Sequence, residues 1–376
     1  MYIQILKQTF MKRTLTVLKS LSALFVLFVL FVLTNCGGNV VGNGVVPDTT
    51  MLGLLCPPGK DIFTGSDGAI SVPVSEGKSL WIWGDAFMGE VIDNQRGDSV
   101  STPLIYGNLF VELDGKRART ICGGTPRHPQ PVIPSDSVDG KQAVYWPHHG
   151  FVRNGILHTY MVRIVFDPVL WFYTHSVSYI RMRLPDYELI DQRDDAAYPV
   201  NKVWYGFGWF QLGDYYYTYG GTESRELHAA RARLVDDELC DWEYFDGVGW
   251  SRDPLKTCKL EGLDIKISTQ FSVFPHDGKY ILLTQDGDAL SNDIYSFVAD
   301  GPTGPWRNKK MLYTAPEPAS NDRLYTYNAM AHPQYDRDGM LLVSYCVNSK
   351  RPRDIWEDAS IYRPRFLRVP YDLILN

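Results

Sequence analysis

A short unit recurs five times along this 376-residue chain. In each copy, a turn that contains glycine is followed at once by an aromatic or aliphatic stretch, and the turn glycines are Gly77, Gly155, Gly213, Gly278 and Gly339. They recur at intervals of about 60 to 80 residues, which is typical of a repeat architecture. Such an interval holds a four-stranded sheet, whereas solenoid repeats are usually shorter. Because helical periodicity is almost absent, the sequence predicts an all-β, five-bladed β-propeller.

The clearest chemistry lies in residues 64–89, which predict two strands joined by a tight turn. Asp67 precedes the first strand and Asp85 follows the second. In an antiparallel hairpin these two ends meet on one side of the sheet, so both carboxylates are predicted to face one cavity. Asp67 is equally suited to an ordinary Ser-Asp-Gly turn, and Asp85 to capping the end of its strand.

The N-terminal residues predict export and a lipid anchor. Basic residues precede an apolar run at 21–33 that is too short for a comfortable membrane span, which is the signal-peptide pattern. Residues 33–36 resemble a bacterial lipobox and predict lipidation of Cys36; a single anchoring helix or plain secretion is the alternative. The predicted domains are a lipoprotein signal peptide (1–35), a lipidated N-terminus and flexible tether (36–60), and the propeller (61–376). We therefore expect a lipid-anchored protein of the bacterial cell envelope, at the outer membrane and on its periplasmic or external side.

Composition narrows the classes of partner. The net charge is −6, and removal of residues 1–35 makes the chain more acidic, so nucleic acid is a poor candidate. The six cysteines show no zinc-like spacing; Cys240 and Cys258 are predicted either to close a loop or to stay free thiols. We expect a monomer.

Four motifs carry a family resemblance: GDAF after LWIW, DWEYFDGVGW, DGPTGPW, and YNAMAHP before LLVSYCVNS. Together they resemble secreted or lipid-anchored bacterial five-bladed propellers related to the arabinanase, levansucrase and mannosyl-phosphorylase group. The resemblance spans residues 63–373 and is specific for the architecture rather than for a substrate.

This resemblance implies a site for glycosidic bond cleavage, which uses two carboxyl groups. Related propellers place an aspartate base on the first blade, a second aspartate on the second blade and a glutamic acid on the third. Asp67 matches the first position. The second blade offers His148 and His149 instead of a carboxylate, and on the third Glu223 lies just past a strand. The predicted catalytic set is therefore Asp67 as base, Asp85 or Glu223 as its partner, and His149 as modulator, with a solvated loop carboxylate as the alternative for Glu223.

Further residues are predicted to bind substrate. Trp83, Trp146, Trp209 and Tyr327 are candidate stacking platforms, with core packing as the alternative. Asp286 and His332 are candidates for polar contacts; an ordinary loop residue and a satisfied core histidine are the alternatives. No cofactor is required, although Asp67, His149 and His332 together are candidates for a central polar site that holds a structural calcium ion or a water cluster.

Two functions fit the sequence. The first is a glycoside hydrolase acting on a polysaccharide or oligosaccharide in the envelope or outside the cell. The second is a glycan-binding lipoprotein without catalysis, which the missing second-blade carboxylate favours. In both, carbohydrate is the partner and the lipid anchor contacts the membrane. An envelope propeller that contacts protein is a third alternative.

Overall fold

The structure is a computed structural model that describes residues 43–125, 128–287 and 291–376. The compact unit that these residues form spans Val45–Asn376. The predicted signal peptide and the lipidation site at Cys36 lie outside the described residues. In the part of the chain that is described, no helix is both long enough and apolar enough to cross a membrane.

The described residues are mostly β-structure, as the sequence predicts. The first of five larger sheets, sheet 1, consists of β3 (Ile70–Ser75), β4 (Lys78–Trp83), β9 (Leu109–Asp114) and β10 (Arg117–Ile121). Sheet 2 consists of β13 (Ala143–Arg153), β14 (Ile156–Asp167), β15 (Trp171–Arg183) and β16 (Glu188–Asp194). Sheet 3 consists of β17 (Trp204–Leu212), β18 (Tyr215–Gly221), β19 (Leu227–Val235), β20 (Glu238–Phe245) and β21 (Trp250–Ser251).

The last two large sheets complete the set. Sheet 4 consists of β22 (Ser272–His276), β23 (Lys279–Gln285), β24 (Asp293–Ala299) and β25 (Arg307–Thr314). Sheet 5 consists of β26 (Leu324–Ala331), β27 (Met340–Ser349), β28 (Arg365–Pro370) and, at its outer edge, β1 (Val46–Pro47). All of these pairings are antiparallel.

Smaller elements connect the sheets. The short strands are β2 (Ile62–Ser66), β5 (Ala86–Gly89) and β8 (Leu104–Ile105) in one sheet, β6 (Val91–Ile92) with β7 (Gln95–Arg96), and β11 (Gly123–Thr125) with β12 (His128–Gln130). The helices are α1 (Met51–Leu55), α2 (Tyr198–Asn201), α3 (Glu317–Ser320), α4 (Asp354–Glu357) and α5 (Tyr371–Leu375), with 3-10 turns at Pro254–Lys256 and Pro333–Tyr335.

The five glycines of the repeated unit mark the turns as the sequence predicts. Each lies between the first and second strands of one sheet, and all five have a positive φ, from 59° to 73°. A Cβ at any of them would meet no atom within 4 Å, so backbone conformation rather than space favours glycine there. At Asn154-Gly155 and Asp277-Gly278 both turn residues have positive φ, as a type I′ hairpin requires.

The hydrophobic core is divided among the spaces between neighbouring sheets. Within the described part of the chain, one buried cluster fills each contact: sheets 1 and 2, 2 and 3, 3 and 4, 4 and 5, and 5 and 1. In the last of these, Trp81 and Trp83 of β4 pack with Leu342 and Phe366 of sheet 5. The order of the sheets therefore returns from the fifth to the first.

The two ends of the described chain meet in sheet 5. Val46 pairs with Arg368 and Pro47 with Leu367, and the Asp48 carboxylate accepts a hydrogen bond of 2.8 Å from Arg368 Nε. Burial opposes ionisation of Asp48, but hydrogen bonds from backbone and side chains outweigh it and lower its pKa to about 2. The packed unit therefore begins at Val45, before the boundary at residue 61 that the sequence predicts.

Candidate active site

Asp67 is held at the start of sheet 1 by close backbone packing. Gly68, with φ of 66°, turns the chain into β3, and its N–H donates to Cys346 Sγ at 3.3 Å. The Gly84 N–H donates to the Asp67 carbonyl at 3.0 Å, and a Cβ on Gly84 would lie 2.4 Å from Asp67 Oδ1. Glycine at position 84 therefore leaves the space that the Asp67 carboxyl group occupies.

Asp85 follows β4 at the same end of the hairpin, as the sequence predicts. Its Oδ1 accepts hydrogen bonds from the Gly107 N–H at 2.7 Å and from Trp146 Nε1 at 2.9 Å. The Ser66 hydroxyl lies 2.6 Å from the Asp85 carbonyl and 2.9 Å from the Asp67 carbonyl. These contacts fix the two aspartates relative to each other, and both residues keep partial solvent exposure.

Tyrosines from the C-terminal part of the chain complete the surroundings of Asp67. The Tyr327 hydroxyl, on β26, donates to Asp67 Oδ2 at 2.9 Å, and Asn348 Nδ2 donates to the Tyr327 oxygen at 3.3 Å. Tyr362 also hydrogen-bonds the Asp67 carboxylate. Residues of sheet 5 and the segment before β28 therefore position a carboxylate that belongs to sheet 1.

The two carboxyl groups influence each other's ionisation. Burial, and then the charge of Asp85, raise the pKa of Asp67 to about 7 despite the hydrogen bonds from tyrosines. Burial also raises the pKa of Asp85, to about 6, against the hydrogen bonds from Gly107 and Trp146. The pair titrates as a unit. It can therefore hold one proton near neutral pH, which suits one acid and one base.

A separate central cavity lies between the first strands of the five large sheets. Its volume is about 270 Å³, and its lining includes Ser71, His149, Trp209, Ser272 and Ala331. The Asp67 and Asp85 carboxyl groups are not part of this lining. The structure therefore places His149 in a different part of the molecule's centre from the carboxyl pair.

The two predicted site histidines are neutral and have local partners. His149 Nε2 lies 3.2 Å from the Ser71 carbonyl, and burial lowers the pKa of His149 to about 4. His332 is fully buried between Ser71 Oγ (2.6 Å) and Ser344 Oγ (2.8 Å). Burial is the main cause that lowers the pKa of His332 to about 3, and the positive charge of Arg368 acts in the same direction. His332 is a hydrogen-bonded core residue with no surface for a substrate.

The aromatic residues predicted as stacking platforms divide into two groups. Trp146 and Tyr327 contact the carboxyl pair through hydrogen bonds. Trp83, in contrast, has no exposed surface and packs against Phe63 with ring centroids 4.6 Å apart, which is the core packing that the sequence left open as the alternative to a substrate platform. Trp209 is buried except where it lines the central cavity.

The structure does not bring the two remaining acidic residues to the pair. Glu223 is exposed in the turn between β18 and β19, and its charge acts on Tyr198, whose pKa is raised by burial and then slightly by this carboxylate. Asp286 follows β23, and its charge acts on Tyr295 and Lys309 in the outer strands of sheet 4. No described contact joins either residue to Asp67 or Asp85.

Metal and disulfide chemistry find little support among the described residues. No group of three or more His, Cys, Asp or Glu side chains in that part of the chain could hold a metal ion. Cys56, Cys122, Cys240, Cys258 and Cys346 are free thiols. The loop closure between Cys240 and Cys258 is therefore not formed, and the alternative of free thiols holds.

Several residues of this site escape prediction from the sequence. Gly107 lies in the long segment between β4 and β9, and Asn348 and Tyr362 are far from Asp67 in the sequence. In the structure, Gly107 has a φ of 116° and Tyr362 a φ of 64°, and the second value is unusual for a tyrosine.

A family model matches residues 60–371, and its description is "Domain of unknown function (DUF5005)". The chain therefore belongs to the DUF5005 family. Among curated proteins, no sequence matches it.

One of the similar solved structures shares the fold. A protein from Bacteroides ovatus ATCC 8483, described as a "putative hydrolase", superposes with a TM-score of 0.70 at 18% identity, over 86% of this chain and 90% of that one. An α-L-arabinofuranosidase from Clostridium thermocellum gives 0.44 at 14% identity, over 84% of this chain and 92% of that one. A xylan β-1,4-xylosidase from Bacillus halodurans gives 0.48 at 10% identity, over 82% of this chain but only 52% of that one. The two weaker likenesses support no conclusion about this chain, whereas the first establishes a shared fold.

Proposed function

We propose that this protein is a five-bladed β-propeller that hydrolyses glycosidic bonds with Asp67 and Asp85. The observation that carries the proposal is the carboxyl pair, which burial and mutual repulsion bring to the pKa range where one proton is shared near neutral pH. Glycosidases need this combination of one protonated and one ionised carboxyl group. The five sheets packed in sequence, with their first strands around one cavity, support the propeller architecture.

The roles of the two aspartates follow from their hydrogen bonds. Asp85 accepts two N–H donors at one oxygen, and because an N–H can only donate, these contacts favour the ionised form of Asp85. The Tyr327 hydroxyl beside Asp67 can donate or accept, so Asp67 can keep a proton there. We therefore assign the proton to Asp67, which protonates the leaving oxygen, and make Asp85 the base or nucleophile. This reverses the sequence-based expectation of Asp67 as base. No cofactor is needed, because the pair supplies both functions.

One observation favours the second candidate, a glycan-binding protein without catalysis. Trp146 occupies the part of sheet 2 that contacts Asp85, where related enzymes are expected to carry a carboxylate, and Glu223 does not reach the pair. In that case the aspartates would accept hydrogen bonds from sugar hydroxyl groups rather than transfer protons.

The cellular setting is also a proposal. We propose that Cys36 is lipidated, that the domain acts as a monomer in the bacterial envelope, and that its partner is carbohydrate. The pattern of residues 1–36 and the acidic chain support this. Incorporation of labelled fatty acid into the wild type but not into Cys36→Ser tests the anchor.

The decisive experiment is product release from a panel of polysaccharides and oligosaccharides. Asp67→Asn and Asp85→Asn are expected to abolish hydrolysis while circular dichroism stays unchanged. Glu223→Gln, which replaces an exposed carboxylate away from the pair, is the matched control and is expected to retain activity. If Glu223→Gln lost hydrolysis while Asp67→Asn and Asp85→Asn retained it, the assigned pair would be refuted. Retention of a glycan without product release would establish the binding protein instead.

A further inference from the structure

We infer that four aromatic rings beside Asp85 form a stacking surface for an uncharged sugar unit of a polymeric glycan, next to the unit held at the carboxyl pair. We call these rings the aromatic platform: Tyr106, Trp146, Phe166 and Phe172. The inference rests on the proposed function, because it extends the same site by one sugar unit.

The four rings form one continuous surface. Phe166 on β14 and Phe172 on β15 are directly opposite in the register of sheet 2, so their side chains share a face. The Trp146 ring lies 5.2 Å from the Phe172 ring and 6.4 Å from the Phe166 ring, both edge to face. The Tyr106 ring lies 6.3 Å from the Phe166 ring. These spacings are those of packed aromatic neighbours.

The platform is tied to the carboxyl pair through hydrogen bonds. Trp146 donates its indole N–H to Asp85 Oδ1, and the residue after Tyr106, Gly107, donates its backbone N–H to the same oxygen. The next residue, Asn108, is fully buried and binds the Ile133 carbonyl and amide. Tyr106 and Trp146 are therefore held beside Asp85 by fixed contacts, as a preformed sugar subsite requires.

Two rings of the aromatic platform are about half exposed to solvent. Tyr106 is 48% and Phe172 is 46% exposed. The Tyr106 hydroxyl makes no hydrogen bond within the described part of the chain, so it is available to a ligand. A sugar ring presents an apolar C–H face and hydroxyl edges, which match an aromatic surface with one free hydroxyl.

The charges around the platform favour an uncharged sugar. Lys141, whose ammonium lies 5.9 Å from the Tyr173 ring, is bound by Asp167 at 2.7 Å. Arg163 lies over the Tyr145 ring, on the face of sheet 2 opposite Trp146, and donates to Ser135 and to the Asp136 carbonyl. Neither cation is therefore free to pair with a uronic acid or a sulfated sugar on the platform, and the Asp85 carboxylate beside it would repel such an anion.

The same hairpin provides a matched control. Trp171 is 81% exposed and directly precedes Phe172 on β15. Trp171 has a φ of 67° at the hairpin turn where β15 begins, and within the described part of the chain no ring contact joins it to Tyr106, Trp146 or Phe166. It resembles the platform residues in exposure and hydrophobicity but not in position.

The test is affinity electrophoresis of the full-length protein in gels containing arabinan, xylan, galactan, mannan or glucan. It uses the Asp67→Asn background, so that binding is measured without cleavage. Tyr106→Ala and Phe172→Ala are each expected to weaken binding about threefold to tenfold, as loss of one aromatic contact does. Trp171→Ala is expected to bind like its parent.

The possible outcomes distinguish the aromatic platform from its alternatives. Equal binding by all variants would overturn the platform while leaving hydrolysis by the wild type, and thus the proposed function, intact. An equal loss in Trp171→Ala would also overturn it, because binding would then follow the exposed apolar tip of the hairpin rather than the rings beside Asp85. Tighter binding of a polyuronate than of any neutral polymer would refute the uncharged class. If the wild type neither bound nor cleaved any glycan, the proposed function would fall first.

Discussion

Removing one hydroxyl group should move the ionisation of the carboxyl pair in a direction that the structure fixes. Tyr327 donates a hydrogen bond to Asp67 Oδ2 at 2.9 Å, and this bond lowers the pKa of Asp67 against the larger effect of burial. Tyr327→Phe keeps the ring but removes the donor, so the ionised form of Asp67 loses more than the protonated form does. The pKa of Asp67 should therefore rise further.

The size of this rise can be bounded. A hydrogen bond to a charged group contributes about 1.5–3 kcal/mol and one between neutral groups about 1 kcal/mol, so the difference is of the order of 1 kcal/mol. That corresponds to nearly one pKa unit, from about 7 to about 8 for Asp67. Because Asp67 is assigned the acid role, the basic limb of the pH–rate profile should move upward by the same amount while the acidic limb stays in place.

Carboxyl ¹³C NMR titration measures this shift whether or not a substrate is known, and the pH dependence of kcat/KM measures it during turnover. Tyr325→Phe is the matched control, because its ring lies 5.5 Å from the Tyr327 ring and its hydroxyl makes no described hydrogen bond to Asp67. An unchanged or lowered pKa in Tyr327→Phe, or an equal rise in Tyr325→Phe, would refute the reasoning.

The remaining predictions concern stability and geometry. The pKa of Asp67 is raised in the folded state, so the folded protein loses stability as pH rises from about 4 through 7. In urea unfolding at pH 8, the free energy of unfolding of Asp67→Asn should therefore exceed that of the wild type by about 2 kcal/mol. At pH 4 the two values should match. The pKa of Asp48 is lowered in the folded state, so its effect on stability has the opposite sign. Asp48→Asn should lower the free energy of unfolding by about 2 kcal/mol at pH 7, because it leaves Arg368 unpaired. This difference should vanish as pH falls from about 4 to 2. Gly84→Ala should displace the Asp67 carboxyl group and lower activity at least tenfold, with a destabilisation of about 1–3 kcal/mol. Gly249→Ala, which meets open space without a positive φ, should change neither.

The parts of the fold that the sequence predicts are those set by local chemistry. The turn at Asn154-Gly155 needs two residues with positive φ in succession, and this requirement is visible in any two-residue window. The position of Asp67 and Asp85 at one end of a hairpin follows equally from strand length and turn type. The pairing of β1 with sheet 5 could not be predicted, for the opposite reason. Val46 pairs with Arg368 in the sheet, and no local sequence pattern indicates a strand pairing between residues so far apart.

Trp83 could not be assigned to the core or to a site from the sequence, for a different physical reason. Alternation along a strand distinguishes a buried face from an exposed one only where one face meets solvent. In β4, Leu80, Trp81, Ile82 and Trp83 are all buried, because sheet 1 packs against sheet 2 on one face and sheet 5 on the other. An aromatic residue at the end of such a strand cannot be assigned from its spacing to the core or to a site. The same limit applies to His332, also enclosed between sheets 5 and 1.

The carboxyl pair lies where sheet 1 meets sheet 5, and this links folding to the proposed chemistry. Asp67 and Asp85 belong to sheet 1, while Tyr327 and Asn348 belong to sheet 5, whose outer edge is β1. The contact between sheets 5 and 1 therefore supports the hydrogen bond that tunes Asp67, and the Asp48–Arg368 ion pair supports sheet 5. Because the Tyr327 donor and the Asp67 carboxylate belong to different sheets, the pKa of Asp67 depends on the contact between sheets 5 and 1 rather than on the hairpin that carries Asp67.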